Sequence, residues 1–308
     1  MRSRVLFLAA FFWVSATAAE AAGLRLINVP GDSEGPAMQG AIWSPCAIPP
    51  QEVDVDGMAL PGVKDCPISG DRLPLVVISH GRTGSFIGHH DISETLGDAG
   101  FIVAAINHPG DTSTDKSRSD DLSVMIERPT DIKRLIDFMV GASPVASKID
   151  PERIGFFGFS RGGYTGLVLA GANPDWVNAI ARCEGSPIHI CEQLRNKESP
   201  ANPLAHDPRI KAAAIADPLT FLFTAESFAA IKIPVQLWGS ERGGDGVSPE
   251  SERILATVDT CLPIEKIMPF DGMVCRLTSA ERYANQIRAI SLAHDNMRGI
   301  QSPAVPRI

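Results

Sequence analysis

The chain lacks an apolar run long enough to cross a membrane as a helix, since the run from Val5 to Ala16 falls well short of a span. It lacks a basic excess: the net charge is −8, which gives no electrostatic footprint for nucleic acid or an anionic membrane surface. It lacks C-x-x-C or any other zinc-ligand spacing, so its 6 cysteines do not read as metal ligands. Its most glycine-rich turn does not match G-x-G-x-x-G, which disfavours a dinucleotide fingerprint there. No internal repeat or low-complexity tract is visible.

What is present suffices for one large α/β domain with a buried core: 308 residues, 44% of them hydrophobic. Met1-Arg-Ser-Arg4, the apolar run and the small residues around Ala19-Glu20-Ala21 predict a signal peptide over residues 1–21. Residues 22–308 then form a single domain, and the first cysteine, Cys46, lies too far on for a lipoprotein signal. The expected location is exported, periplasmic or secreted, with a mature charge of −9 once Arg2, Arg4 and Glu20 are removed. An even cysteine number in an oxidising compartment suggests disulfides. Sequence leaves about fifteen pairings open. Loop length favours neighbours, Cys46 with Cys66, Cys183 with Cys191 and Cys261 with Cys275, against free buried thiols.

Leu24 to Val29 and Met38 to Trp43 read as an antiparallel edge pair opening the sheet, and Cys46 to Asp71 as a long Pro- and Gly-rich surface loop. Leu73 to Ser79 and Phe101 to Ile106 read as buried strands, with a helix from His89 to Ala99 between them, stopped by Gly100. Asp111 to Asp121 reads as a solvated loop, and Pro129 to Val140 as a helix with proline near its first position. Residues 173–208 form an irregular insertion over the site, followed by strands at Ile210 to Ala216 and Ile233 to Trp238. Alternating strands and helices predict a mostly parallel sheet covered on both faces.

The chain is organised around Ile154-Gly-Phe-Phe-Gly-Phe-Ser160-Arg-Gly-Gly-Tyr164. A buried strand runs into G-x-S-x-G and then into a buried helix, the context that a nucleophile elbow needs. The flanking glycines let strand and helix approach while the Ser160 backbone takes a strained turn. The N–H groups beyond it then point at a developing oxyanion. The plain alternative is a glycine-rich turn carrying an incidental serine. Upstream, Leu73-Pro-Leu-Val-Val-Ile-Ser-His80-Gly-Arg82-Thr-Gly-Ser85 is a second strand entering a glycine-punctuated loop.

With S-H-G-R-T-G, F-I-V-A-A-I-N-H-P-G, R-P-T-D-I and D-P-E-R-I-G-F-F-G-F-S-R-G-G in hand, the chain resembles an α/β-hydrolase. The group is the one often called predicted dienelactone hydrolases, related to platelet-activating-factor acetylhydrolases. The likeness runs from about Ala41 to about Glu250. It implies the α/β-hydrolase fold, carboxylic ester hydrolysis through an acyl-enzyme at Ser160, a small-molecule ester substrate and no cofactor or metal. It further implies an oxyanion hole built from the backbone N–H groups of Arg82 and Arg161.

The order in this fold is serine, acid, histidine. Asp245 ranks first for the acid, Asp217 second and Glu241 third, each against the alternative of a loop carboxylate or a cap. Relatives carry the histidine in the loop after the last strand, which here would be Lys266 to Phe270. That loop, Asp271-Gly-Met-Val-Cys275, has none. His294, on an expected helix from Ser279 to Met297, is the one histidine after the acid, and a lone helical histidine is more often a surface residue. His108 is next to consider; the family residues matching it and His80 are not the base. His89-His90-Asp91 could suggest a metal, but adjacent histidines rarely face one ion. The stretch 260–308 departs from the family pattern. The other reading is therefore a hydrolase-fold protein that binds a ligand without turnover. Phe86, Phe159 and Trp176 hint at an apolar ester, and core packing explains aromatics equally well.

Overall fold

The computed structural model describes residues 22–185, 187, 189–196, 198 and 204–238, together with the backbone of two short strands near the C-terminus. Among the described residues nine strands form one sheet: β1 (Gly23–Val29), β2 (Met38–Ser44), β3 (Gln51–Val55), β4 (Met58–Lys64), β5 (Leu73–Ser79), β6 (Ile102–Ile106), β7 (Ile149–Phe159), β8 (Ile210–Ala216) and β9 (Val235–Trp238), in the order β3-β4-β1-β2-β6-β5-β7-β8-β9. From β6 to β9 every pairing is parallel; β2 joins β6 antiparallel, and β1 joins β2 antiparallel.

β5 explains why the centre of this sheet is parallel. Its residues Leu75 to Ile78 are all buried, because both faces are covered. Leu75 and Val77 pack into one core, and Val76 and Ile78 into the other, following the two-residue period of a strand. Helices α2 (Leu122–Gly141) and α3 (Arg161–Leu169) cover the first face through Met125, Ile132, Leu135 and Leu167. Helix α1 (His90–Asp98) covers the second through Ile92 and Leu96. Burying a side chain of that size stabilises by roughly 1.5–3 kcal/mol.

The strand order reverses at β5. The chain steps from β5 to β6 on one side and returns to β7 on the other, and α1 and α3, which follow β5 and β7, pack on opposite faces of the sheet. Ligands of open α/β sheets bind at such a switch point. The loop after β5 and the turn after β7 meet there.

Several local expectations change. β1 and β2 do pair antiparallel, but they are not the edge of the sheet. The stretch read as one surface loop folds as the β3–β4 hairpin, paired from Gln51 opposite Gly62 to Val55 opposite Met58, and β4 joins β1 outside β2. The turn has Asp56 and Gly57 at φ 53° and 82°, the left-handed conformation that an Asp-Gly pair supplies in tight hairpins. Helix α2 starts at Leu122, not at Pro129. Asp121 caps it by accepting the Ser123 N–H at 2.8 Å, and Pro129 lies inside. Packing of Leu122, Val124 and Met125 offsets the backbone bond that proline cannot donate.

The insertion contains helices α4 (Trp176–Arg182) and α5 (His189–Arg195), with Cys183 and Cys191 joined as a disulfide, Cα atoms 5.3 Å apart. Gln193 of α5 accepts the Leu122 N–H at 2.7 Å, and Ile190 and Leu194 are buried in the main core. Cys46 and Cys66 form a second disulfide, Cα atoms 6.0 Å apart, joining the strand that ends at Ser44 to the end of β4. Near the C-terminus, β10 (Cys261–Pro263) and β11 (Met273–Cys275) pair antiparallel with Cys261 opposite Cys275. The expected signal peptide, the strand over 266–270 and the helix over 279–297 lie outside the described residues.

Candidate active site

Ser160 sits between β7 and α3 with φ 53° and ψ −113°, a conformation strained for any residue but glycine. Three backbone bonds hold it there. Its N–H donates to the Ala216 carbonyl at 2.9 Å, and its own carbonyl accepts the N–H groups of Tyr164 at 3.1 Å and Leu219 at 3.0 Å. The flanking glycines matter through space rather than flexibility. A Cβ at Gly162 would collide with the Ser79 carbonyl, and one at Gly158 with the Gly162 carbonyl. Strand and helix therefore close on each other only because both positions lack a side chain. The Ser160 side chain is half-buried at the switch point, and Phe159 beside it is 38% exposed.

The loop after β5 reaches the same place. A Cβ on Gly81 would stand 3.5 Å from Ser160 Cβ, so the backbone leading into Arg82 lies beside the hydroxyl. Arg161 is the first residue of α3, where an N–H has no intrahelical carbonyl to bond. Asp217 follows β8 directly after the carbonyl that accepts the Ser160 N–H. It has φ 42°, and its own N–H donates to the Trp238 carbonyl at 2.7 Å. Asp245, Glu241 and His294 lie outside the described residues.

Beneath the two loops is a buried polar network that the sequence reading missed. Ser79 Oγ lies 2.9 Å from His108 Nε2, and His108 Nδ1 lies 2.9 Å from Asp131 Oδ2. With Nδ1 donating to the carboxylate, Nε2 accepts the Ser79 hydroxyl, whose oxygen accepts from Arg128 Nη2 at 3.1 Å. Arg128 also donates to Asp111 Oδ2 at 2.7 Å, to Thr165 Oγ1 at 3.3 Å and to the His80 carbonyl. His80 Nδ1 donates to the Gly81 carbonyl at 2.7 Å, while its Nε2 accepts the His108 N–H at 3.3 Å. Burial, then the Arg128 charge, hold both His80 and His108 well below the usual imidazole range. Burial pushes Asp131 up to about 7 against the pull of Arg128 and Arg134.

Ser79, His108 and Asp131 thus repeat the connectivity of a catalytic triad where no substrate can reach. Ser79 and His108 are both 0% exposed. The alternative of His108 as base for Ser160 is overturned, because both its ring nitrogens are engaged within this network. A signal for the network was present in the sequence: Arg128, Asp131 and Arg134 recur every three residues on the face of α2 that also carries Ile132 and Leu135. Charges on an apolar stripe need buried partners.

Other expectations also sort out. The pair His89 and His90 separates: His90 Nδ1 bonds Glu94 Oε1 at 3.0 Å, while the His89 ring stands edge-on to Phe157 and Phe159, at 5.4 and 5.8 Å between centroids. Burial lowers the His89 pKa. Of the three aromatics read as a substrate hint, Phe86 and Trp176 are buried, leaving Phe159 exposed at the site. The segment read as a solvated loop is anchored at its ends, since Asp111, Thr112 and Ser119 are buried. A cavity of about 380 Å³ lined by Gln39, Gly40 and Phe86 among others lies toward β2 and does not include Ser160.

The sequence profile described as the prolyl oligopeptidase family matches residues 90–185, a span that contains Ser160. A curated relative, the candidate esterase NocK of Nocardia uniformis subsp. tsuyamanensis, is 27% identical over 165 residues. The match covers 52% of this chain and 44% of that protein, so it spans less than half of the relative's length. Among solved structures, a ferulic acid esterase from Streptomyces cinnamoneus superposes with a TM-score of 0.51 at 19% identity, over 79% of this chain and 71% of that one. An esterase from Pyrobaculum calidifontis aligns more loosely, with a TM-score of 0.36 at 15% identity over 64% of this chain and 45% of its own. The fold of the chain is the α/β-hydrolase fold.

Proposed function

We propose that the protein is an exported serine hydrolase that cleaves small-molecule carboxylic esters through an acyl-enzyme at Ser160. The observation that carries this reading is the Ser160 backbone, held at φ 53° between a buried strand and a buried helix. Strain of that kind at a strand-to-helix turn serves to present a hydroxyl, and packing alone gives no reason to keep it. The Ser160 oxygen attacks the ester carbonyl, and its proton passes to the base. The carbonyl oxygen takes the negative charge, facing the N–H groups of Arg82 and Arg161. Collapse expels the alcohol, and water then releases the acid. The proposal ranks Asp245 ahead of Asp217 for the acid and leaves the base unassigned, with His294 its candidate. No cofactor or metal enters these steps. The disulfides at Cys46–Cys66 and Cys183–Cys191 support an oxidising compartment.

Hydrolysis of an aryl ester series by the purified chain tests the reading. Wild type turns over and Ser160→Ala does not; where His294 is the base, His294→Ala loses nearly all activity. Turnover unchanged in Ser160→Ala would refute the assignment. One observation favours a second reading, a ligand-binding hydrolase fold without turnover: Asp271 to Cys275 carries no histidine. Saturable ester binding with no hydrolysis at any pH would select it.

A further inference from the structure

The two residues assigned to the oxyanion hole are both arginines, and their side chains reach the same loop. Arg82 forms a bidentate pair with Asp120, Nε to Oδ1 at 2.9 Å and Nη2 to Oδ2 at 2.7 Å. Arg161 Nη1 donates to the neighbouring Ser119 carbonyl at 2.5 Å and to Asp111 Oδ2 at 2.9 Å. Asp111 is the hub. It is 0% exposed, and its Oδ1 accepts the Thr83 N–H at 2.9 Å while its Oδ2 takes both Arg161 and Arg128. The loop strands are also zipped together, since Ser113 N–H donates to the Gly84 carbonyl at 2.8 Å.

We propose that Asp111 is the positioning residue of the oxyanion hole, one buried carboxylate that fixes the spacing between the loop after β5 and the start of α3. The inference rests on the acyl-enzyme reading of Ser160. Its physical content is the peptide geometry around Arg82. Thr83 has φ 51°, an unfavourable conformation for a β-branched residue. The Asp111 bond to its N–H holds that conformation, and Arg128 grips the His80 carbonyl two residues before Arg82. The Arg82 N–H is therefore pinned from both sides. The Arg161 N–H belongs to the residue whose guanidinium ends on the same carboxylate. Two donors on separate elements thus share one reference point, as a preorganised hole requires. Asp111 touches no substrate and acts through these neighbours.

The test uses wild type, Asp111→Asn and Arg161→Met, with active sites counted by fluorophosphonate titration to completion. Each is assayed on an activated aryl ester and against a trifluoromethyl ketone. The ketone carbonyl carbon bonds the serine oxygen, the ketone oxygen takes the negative charge, and the serine proton passes to the base. Asp111→Asn should lower kcat per titrated site about a hundredfold, the size of losing one oxyanion donor, with KM within about twofold. Ketone affinity should fall by the same factor as kcat/KM. A purely structural role would reduce the count of titratable sites and leave the rate per site unchanged. A folded Asp111→Asn with per-site kcat within about threefold of wild type, and ketone affinity intact, overturns the proposal. Should Asp111→Asn not fold, Arg161→Met decides alone. It leaves Thr83 and Arg128 on Asp111, and a loss of about tenfold in per-site kcat, matched in ketone affinity, is expected. An unchanged rate there likewise overturns the proposal. A wild-type chain whose serine never titrates removes the acyl-enzyme reading and the proposal together, whereas titrating wild type with unaffected variants removes the proposal alone.

Discussion

Ser79 Oγ lies 2.9 Å from His108 Nε2, inside a buried core where Ser79, His108 and Asp131 form a Ser–His–Asp chain. Ser160, the proposed nucleophile, follows a different strand, β7, and the two sites are separable by mutation. Ser79→Ala leaves His108 Nε2 without its donor and one Arg128 bond without its acceptor. Unsatisfied buried groups cost about 1–3 kcal/mol. The variant should melt at a lower temperature yet still react with a fluorophosphonate at Ser160. A folded Ser79→Ala that no longer reacts would make the buried chain part of the catalytic apparatus.

His80 and His108 are neutral when folded and must take up protons on unfolding in acid. Their pKa values are depressed, so the unfolded chain binds more protons below about pH 6.5, and stability should fall as pH drops through that value. Each such histidine gives a slope of up to about 1.4 kcal/mol per pH unit. Asp131 acts in the opposite sense. Raised to about 7, it binds its proton in the folded state first and offsets one histidine between roughly pH 4 and 7. The net expectation is a melting temperature that declines from pH 6.5 to 4.5, less steeply in His108→Gln. Equal slopes in the two proteins would contradict the assignment of buried neutral histidine.

The Cys46–Cys66 disulfide spans 20 residues, and closing a loop of that length is worth about 3 kcal/mol in the chain-entropy model. Peptide mapping of the oxidised protein should recover the Cys46 and Cys66 peptides linked, and Cys183 with Cys191. Reductant should lower the melting temperature. Recovery of all four as free thiols from protein prepared under oxidising conditions would refute the pairing.

The centre of the fold was legible because its signals are local. Leu73 to Ile78 of β5, all of β6 and Ile154 to Phe159 of β7 are unbroken apolar runs, Gly100 ends α1 with φ 93°, and the glycines around Ser160 mark the strand-to-helix turn. The β3–β4 hairpin was not legible, because its alternation is interrupted by Pro61 and Gly62, and that composition reads as loop. Pro129 misplaced the start of α2 because proline favours the first helical turn, and tertiary packing overrode the preference. The polar network escaped for another reason. Ser79, Asp111, Arg128 and Asp131 lie up to some fifty residues apart, and nothing in residue spacing says that one core collects them. In retrospect Ser79, Arg128 and Asp131 fall within the segments quoted for the family resemblance, and Asp111 directly follows one of them. Those segments carry the scaffold of the two loops as well as Ser160.

The central claim is a nucleophilic Ser160, and one measurement addresses it most directly: intact-mass and peptide analysis after exposure to a fluorophosphonate. The account predicts a single adduct per chain, located on the peptide containing Ser160, and no adduct on Ser160→Ala. An adduct that persists in folded Ser160→Ala, or a folded wild-type chain that stays unmodified under prolonged exposure, would contradict it.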